Sequence, residues 1–200
     1  MLLAPLASYT DGHAKGSDML LADLAADYPY WTTRVGVGVG LIRVVVGVTL
    51  AAHGYAKFFK GGKIAGTAGW FDSMGMRPGK LHAYLAASTE VGAGLLFAVG
   101  LFTPLAAAGM VGLMVVAGWT VHRHNGFFIV GEGWEYTFIL AVIAVGIATT
   151  GPGQYSLDYA FGLTDQDFDG INGLLIAGVG GVLAGVAQMA IFYRPPKSDA

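Results

Sequence analysis

The sequence predicts an all-α, polytopic membrane protein, and three observations carry that prediction. Of the 200 residues, 54% are apolar and only 12% are charged. Mean hydropathy is +0.59. Five apolar stretches approach the roughly 20 residues a helix needs to cross a hydrocarbon core. A soluble domain would carry about twice this share of charge. Glycine supplies 32 residues, too many for comfortable helices in water but common where membrane helices pack backbone to backbone. Cysteine is absent, which excludes disulfides, thiol redox chemistry, iron–sulfur ligation and covalent haem attachment. A formal net charge of −2 gives no electrostatic footprint for nucleic acid, and none is expected as a partner.

Residues 1–34 form a polar extension with Asp11, Asp18, Asp23 and Asp27, ending in the interfacial aromatics Tyr28, Tyr30 and Trp31. It does not read as a signal peptide: there is no basic leader, and Pro5 interrupts its first apolar residues. A surface helix and a disordered tail are both compatible with it. The spans follow as 35–53, broken by Arg43; 82–103, broken by Glu90; then 104–121, 135–150 and 171–193. Residues 35–151 thus make a four-helix bundle. An acidic loop (152–170), a fifth transmembrane helix (171–193) and a tail (194–200) complete the chain.

Five spans put alternate loops on opposite sides. One side then holds Lys57, Lys60, Lys63, Arg77, Lys80, Arg123, Arg194 and Lys197, and the other holds Lys15 and Arg34. The positive-inside rule puts the basic side in the cytoplasm, so the N-terminus is expected outside and the C-terminus inside.

Arg43 lies ten residues from His53, and Glu90 lies eight from His82. At 1.5 Å per residue these are similar depths, about 15 and 12 Å. Since a lone arginine at the bilayer centre costs at least ~2.5–3.5 kcal/mol, an Arg43–Glu90 ion pair inside the bundle is predicted. It would either lock helices one and two together or form the polar floor of a pocket. His53, His82 and His122 fall at ends of the first three spans on the basic side. They read as interfacial side chains, or as partners of a quinone carbonyl or other polar headgroup. Haem ligation is the weaker reading, because such ligands are buried deeper than a helix end. No metal site is predicted: HExxH spacing is missing, and "DQDFDG" (165–170) lacks the glutamate that closes a calcium loop. Small residues at Gly36 and Gly40, and at Gly181 and Gly185, have the spacing that permits close helix packing.

Several short motifs stand in a telling order. "HGYAKF" (53–58) follows an arginine-bearing first helix, "TEVGAGLLFAVGLFTPLAA" (89–107) fills the second, "GWEY" (133–136) opens the fourth and "GPGQYSLD" (151–158) closes it. In this the chain resembles the DoxX family, across about residues 34–159. The resemblance implies a compact four-helix bundle in a bacterial or archaeal cell membrane. Some relatives are small subunits of thiosulfate:quinone oxidoreductases, so other membrane subunits and a quinone are the partners and cofactor it implies. By motif it carries over Arg43, His53, Gly54, Lys57, Glu90, Gly94, Gly133, Glu135, Gly151, Gly153, Ser156 and Asp158. The extension and the fifth helix depart from the family pattern. Two functions stay open: a subunit of a quinone-linked oxidoreductase with a headgroup pocket drawn from Arg43, His53, Lys57, His82, Glu90, His122 and Glu135, or an accessory subunit whose charges are purely internal. Solute carriage is a weaker third.

Overall fold

The computed structural model describes residues 7–164 and 168–195, with side chains from residue 33 onward. The first six residues of the extension, its aromatic side chains, Asp165 and Asp167 of the acidic loop, and Lys197 of the tail lie outside the described side chains.

Helix α1 runs unbroken from Ala7 to Phe59. The polar extension and the first span are therefore one helix, whose apolar part is Thr33–Phe59. It passes His53 by six residues, because Gly54 is followed by good helix formers and the first break comes at Gly61, φ +53°. Helix α2 (Lys63–Met74) occupies most of the connection between the first two expected spans, and ends on Gly75 at φ +96°. Helix α3 (Gly79–Val99) stops at Gly100, φ +66°, short of the Thr103 expected from hydropathy. Helix α4 (Thr103–Ala117) continues through a π turn, Gly118–His122, and a 3₁₀ turn, Arg123–Asn125. Helix α5 is Glu135–Thr150. A short α6 (Leu157–Ala160) precedes the final helix, in which α7 (Gly170–Leu174) joins α8 (Gly181–Phe192) through a π segment.

Three of these helices are long and apolar enough to cross a membrane: Thr33–Phe59, Thr103–Asn125 and Gly170–Phe192. α5 is apolar but shorter. α3 packs between α1 and α4, while α4 also receives α5 and α8. Leu41, Val45, Leu95, Val142 and Leu183 point outward and are more than half exposed. So large an apolar surface on a folded chain is a surface for lipid. The fold is an all-α polytopic membrane bundle.

Small residues let these helices approach. The core around Phe97, Met110 and Leu140 is otherwise rich in alanine. A Cβ on Gly181 would lie 2.7 Å from that of Val111, and one on Gly185 would lie 2.8 Å from the Gly112 carbonyl. This glycine pair thus seats the fifth helix on α4 within the same chain. The other predicted pair does not pack helices. Gly36 faces Gln154 of the 151–158 loop, and the nearest group to a Cβ on Gly40 is Arg43 at 3.9 Å. The close approach of α1 to α3 falls lower, at Gly47 and Gly54, because α3 has already ended at the level of Gly40. The last helix is fastened at its far end by backbone: Arg194 N–H donates to Gly75 O at 2.8 Å and Arg77 N–H to Phe192 O at 3.4 Å.

Candidate functional site

Glu90 points from α3 towards α1 where Gly54 leaves room for it; a Cβ on Gly54 would lie 2.8 Å from the Glu90 Cβ. Lys57, three residues after Gly54, lies on the same helical face. Its Nζ sits 2.6 and 2.7 Å from the two carboxylate oxygens of Glu90. Glu90 is 7% exposed while the Lys57 side chain is 24% exposed, so the pair joins α1 to α3 with its carboxylate buried and its ammonium at the edge of the bundle.

The predicted Arg43–Glu90 pair is therefore corrected: both residues are buried, but each bonds elsewhere. Depth had been measured from His53, whereas α1 ends at Phe59 and the Glu90 level on α1 is Gly54. Arg43 is eleven residues from Gly54, about 16 Å along the axis. There the guanidinium meets the C-terminal end of α3. Nη1 donates to the Ala98 carbonyl at 3.2 Å and to Phe97 at 3.4 Å, and Nη2 donates to Tyr155 O at 2.8 Å. Free carbonyls at a helix C-terminus are a favourable place for a cation. Gly100 is required beside it, because a Cβ there would overlap the guanidinium.

Asp158 completes this opposite end. Its carboxylate accepts from Phe102 N–H at 2.7 Å, Thr103 N–H at 2.9 Å and the Thr103 hydroxyl at 2.7 Å. It thereby caps the start of α4 from a distant loop. Asp158→Ala is expected to cost about 2 kcal/mol, read as a lower melting temperature in detergent with the Lys57–Glu90 end intact. Arg43, Gly100, Ser156 and Asp158 are thus an architectural clasp.

The pocket lies at the lysine-rich end. A cavity of about 280 Å³ is lined by His53, Lys57, Glu90, His122 and Tyr136, with Trp70, Phe71, Leu113 and Met114 among its apolar walls. His53 and Tyr136 face each other with ring centroids 6.3 Å apart. The hydroxyls of Thr120 and Thr137 are committed to the carbonyls of Val116 and Trp134. His122 is held by its Nδ1, 2.7 Å from Glu132 O, and stands on the π turn that ends α4. An ammonium has three N–H donors, and the carboxylate engages Lys57 through two contacts, which leaves a donor for a ligand oxygen. A chamber of this chemistry takes an apolar ring bearing hydrogen-bond acceptors.

Two predicted site residues stand apart. His82 is buried in a neighbouring cavity of about 180 Å³ between α3, α4 and α8, its Nδ1 3.0 Å from the Gln188 amide nitrogen. Phe71, Ala86, Leu113 and Val116 line both chambers and separate them. Glu135 turns to its own loop and accepts from Ile129 N–H at 2.8 Å. Tyr136, Trp70 and Gln188 escaped the sequence reading as site residues. Near a helix end, an aromatic reads as an interfacial belt, and nothing local shows that α2 folds Trp70 back over the bundle.

No curated protein and no solved structure matches the chain. The sequence model of the DoxX family matches residues 38–123, from the first turns of the apolar part of α1 to the end of the π turn. That segment contains Arg43, His53, Lys57, Glu90 and His122, and over it the chain carries a DoxX domain.

Proposed function

We propose that this chain is a small membrane subunit of a quinone-linked oxidoreductase, and that the cavity at its lysine-rich end receives the quinone ring. The observation that carries the reading is the cavity wall. Lys57, fixed by Glu90, stands with His53, His122 and Tyr136 on one side of an otherwise apolar chamber of about 280 Å³. Lys57, His53 and Tyr136 offer donors for ring carbonyls, His122, with its Nδ1–H given to Glu132 O, offers an acceptor to a ring hydroxyl, and Trp70 and Phe71 are surfaces on which a flat ring stacks. A bound quinone supplies two-electron, two-proton redox chemistry. The chain's own part is to orient the ring, exclude water and hold protons at His53 and Tyr136. The seven basic residues described at this end, Lys57, Lys60, Lys63, Arg77, Lys80, Arg123 and Arg194, support a cytoplasmic-facing site. The catalytic redox centres belong to partner subunits in this reading, since cysteine is absent.

The test is purification from the native membrane with extraction of bound lipids. Large redox subunits and a quinone are expected to co-purify. Lys57→Met is expected to weaken quinone binding about tenfold or more, from loss of a charge-assisted hydrogen bond, with the complex still assembled. Recovery of partners with complete active sites, no quinone, and full turnover in Lys57→Met would instead establish an accessory subunit. That second reading is favoured by one observation: the buried Glu90 carboxylate has its charge partner, Lys57, within the chain and needs no ligand to balance it.

A further inference from the structure

The segment between α4 and α5, residues 126–134, reads "GFFIVGEGW" and contains four consecutive apolar residues. They are turned outward: Val130 is 96% exposed, Phe128 71%, Ile129 51% and Phe127 38%. Neighbouring loops of this chain are not built this way. The α1–α2 connection, for instance, exposes Lys60, Gly61, Gly62 and Lys63.

The backbone behind this tip is closed upon itself. Trp134 N–H donates to Gly126 O at 3.2 Å and Glu135 N–H to Phe127 O at 2.8 Å. Gly131 and Gly133 N–H both donate to Phe128 O at 3.0 Å, and Glu132 N–H to Ile129 O at 2.8 Å. Ile129 N–H is taken by the Glu135 carboxylate, and Glu132 O receives Asn125 Nδ2 at 3.2 Å as well as His122. The carbonyls of Phe127, Phe128 and Ile129 and the Ile129 N–H are thus paired within the loop, which lowers the cost of carrying this stretch of backbone out of water. Gly133 makes the fold possible, since a Cβ there would strike the carbonyls of Gly126 and Phe127.

Length supplies an independent argument. α5 has 16 residues, about 24 Å at 1.5 Å per residue, against a hydrocarbon core of about 30 Å. The apolar segment lies at the N-terminal end of this short helix, separated from Glu135 by the turn Gly131–Trp134. Flanking groups are those of a membrane interface: Arg123 stacks on Trp119 at 4.4 Å, and Trp134 packs edge-on to Phe127 at 4.7 Å. The charged residues Arg123, His124, Glu132 and Glu135 bracket the apolar four on both sides in sequence.

We propose that Phe127–Val130 is a membrane-inserted wedge whose occupant is the lipid leaflet itself, at the level just beneath the headgroups. It extends the short α5 to full thickness and continues the lipid-facing surface of the bundle. His122 and Tyr136 line the cavity and flank this segment in sequence, His122 also bonding Glu132 O, so the wedge puts that wall of the cavity against lipid. A lipophilic ligand then reaches it sideways from the bilayer.

The absence of cysteine makes the test direct. Val130→Cys and, separately, Phe128→Cys are labelled with a nitroxide in full-length protein in phosphatidylcholine–phosphatidylglycerol vesicles. Val142→Cys, on the outer face of α5, is the lipid control, and Lys60→Cys is the water control. Power saturation is expected to show both loop sites colliding more with oxygen than with a water-soluble nickel chelate, as at residue 142. Loop sites that instead follow residue 60 overturn the proposal. Sites shielded from both reagents overturn it equally, by showing a protein partner or second copy on the loop. Val130 touches little else, so unchanged melting of the labelled variant confirms that the fold is intact.

Discussion

Arg43→Met is expected to lower the stability of the bundle by roughly 3–5 kcal/mol, because buried carbonyls are left without donors. A typical domain has about 5–15 kcal/mol in total, so most of the protein should fail to accumulate in the membrane. The reason lies in what the guanidinium holds. It bonds the last carbonyls of α3 and, through Tyr155 O, the loop that brings Asp158 to α4. Three segments far apart in sequence meet on one side chain that is 1% exposed. Methionine replaces its volume and none of its donors. Arg43→Lys should recover part of the loss, since an ammonium can serve one direction but cannot fork between two elements. Thermal unfolding in detergent, followed by size exclusion, reads the effect. An unchanged midpoint for Arg43→Met would contradict the clasp.

The second large effect is expected at Gly47. There α1 and α3 touch through backbone: a Cβ on Gly47 would run into the Gly94 carbonyl and lie 2.8 Å from the Ala98 Cβ. Reciprocally, a Cβ on Gly94 would lie 2.6 Å from the Gly47 carbonyl. No side chain can swing away from such a contact, so the helices themselves must separate. Gly47→Ala is expected to cost about 3 kcal/mol, at the upper end of overpacking, and Gly47→Leu to prevent the bundle from closing. Gly92→Ala and Gly146→Ala provide the contrast, as nothing lies within 4 Å of a Cβ at either position. In a helix interior each of these should be neutral or stabilising by up to about 1 kcal/mol. The four melting temperatures settle it, and equal losses at Gly47 and Gly92 would refute the crossing.

What the sequence could and could not disclose follows from the same contacts. The apolar helices were legible because hydrocarbon thickness imposes a length, and α5 falls at the residues that hydropathy marks. The charge partners were not, because they depend on the register between helices, and register depends on where each helix stops. Ending α1 at His53 instead of Phe59 moves Arg43 by nearly two turns and gives it the wrong mate. Lys57 reads as a topological lysine, although its place three residues after a glycine opposite Glu90 is what pairs it. Glycine spacing alone also misled. Gly181 and Gly185 pack as their spacing suggests, but on α1 the working pair is Gly47 and Gly54, seven residues apart and so two turns along one face. The motif "GPGQYSLD" was visible, while its task of capping α4 needed a partner 55 residues earlier, at Thr103.

The hydrogen bonds from Arg194 to Gly75 and from Arg77 to Phe192 carry a consequence for biogenesis. Chains emerge from the ribosome N-terminus first, so α1 through α5 are already in the bilayer when these last residues appear. The turn at Gly75 must wait for them, the Gly75 carbonyl and the Arg77 N–H staying wet until Phe192 and Arg194 have emerged. A stalled or clipped nascent chain would leave that turn open at the membrane surface, marking unfinished molecules for proteolysis before they can join anything else.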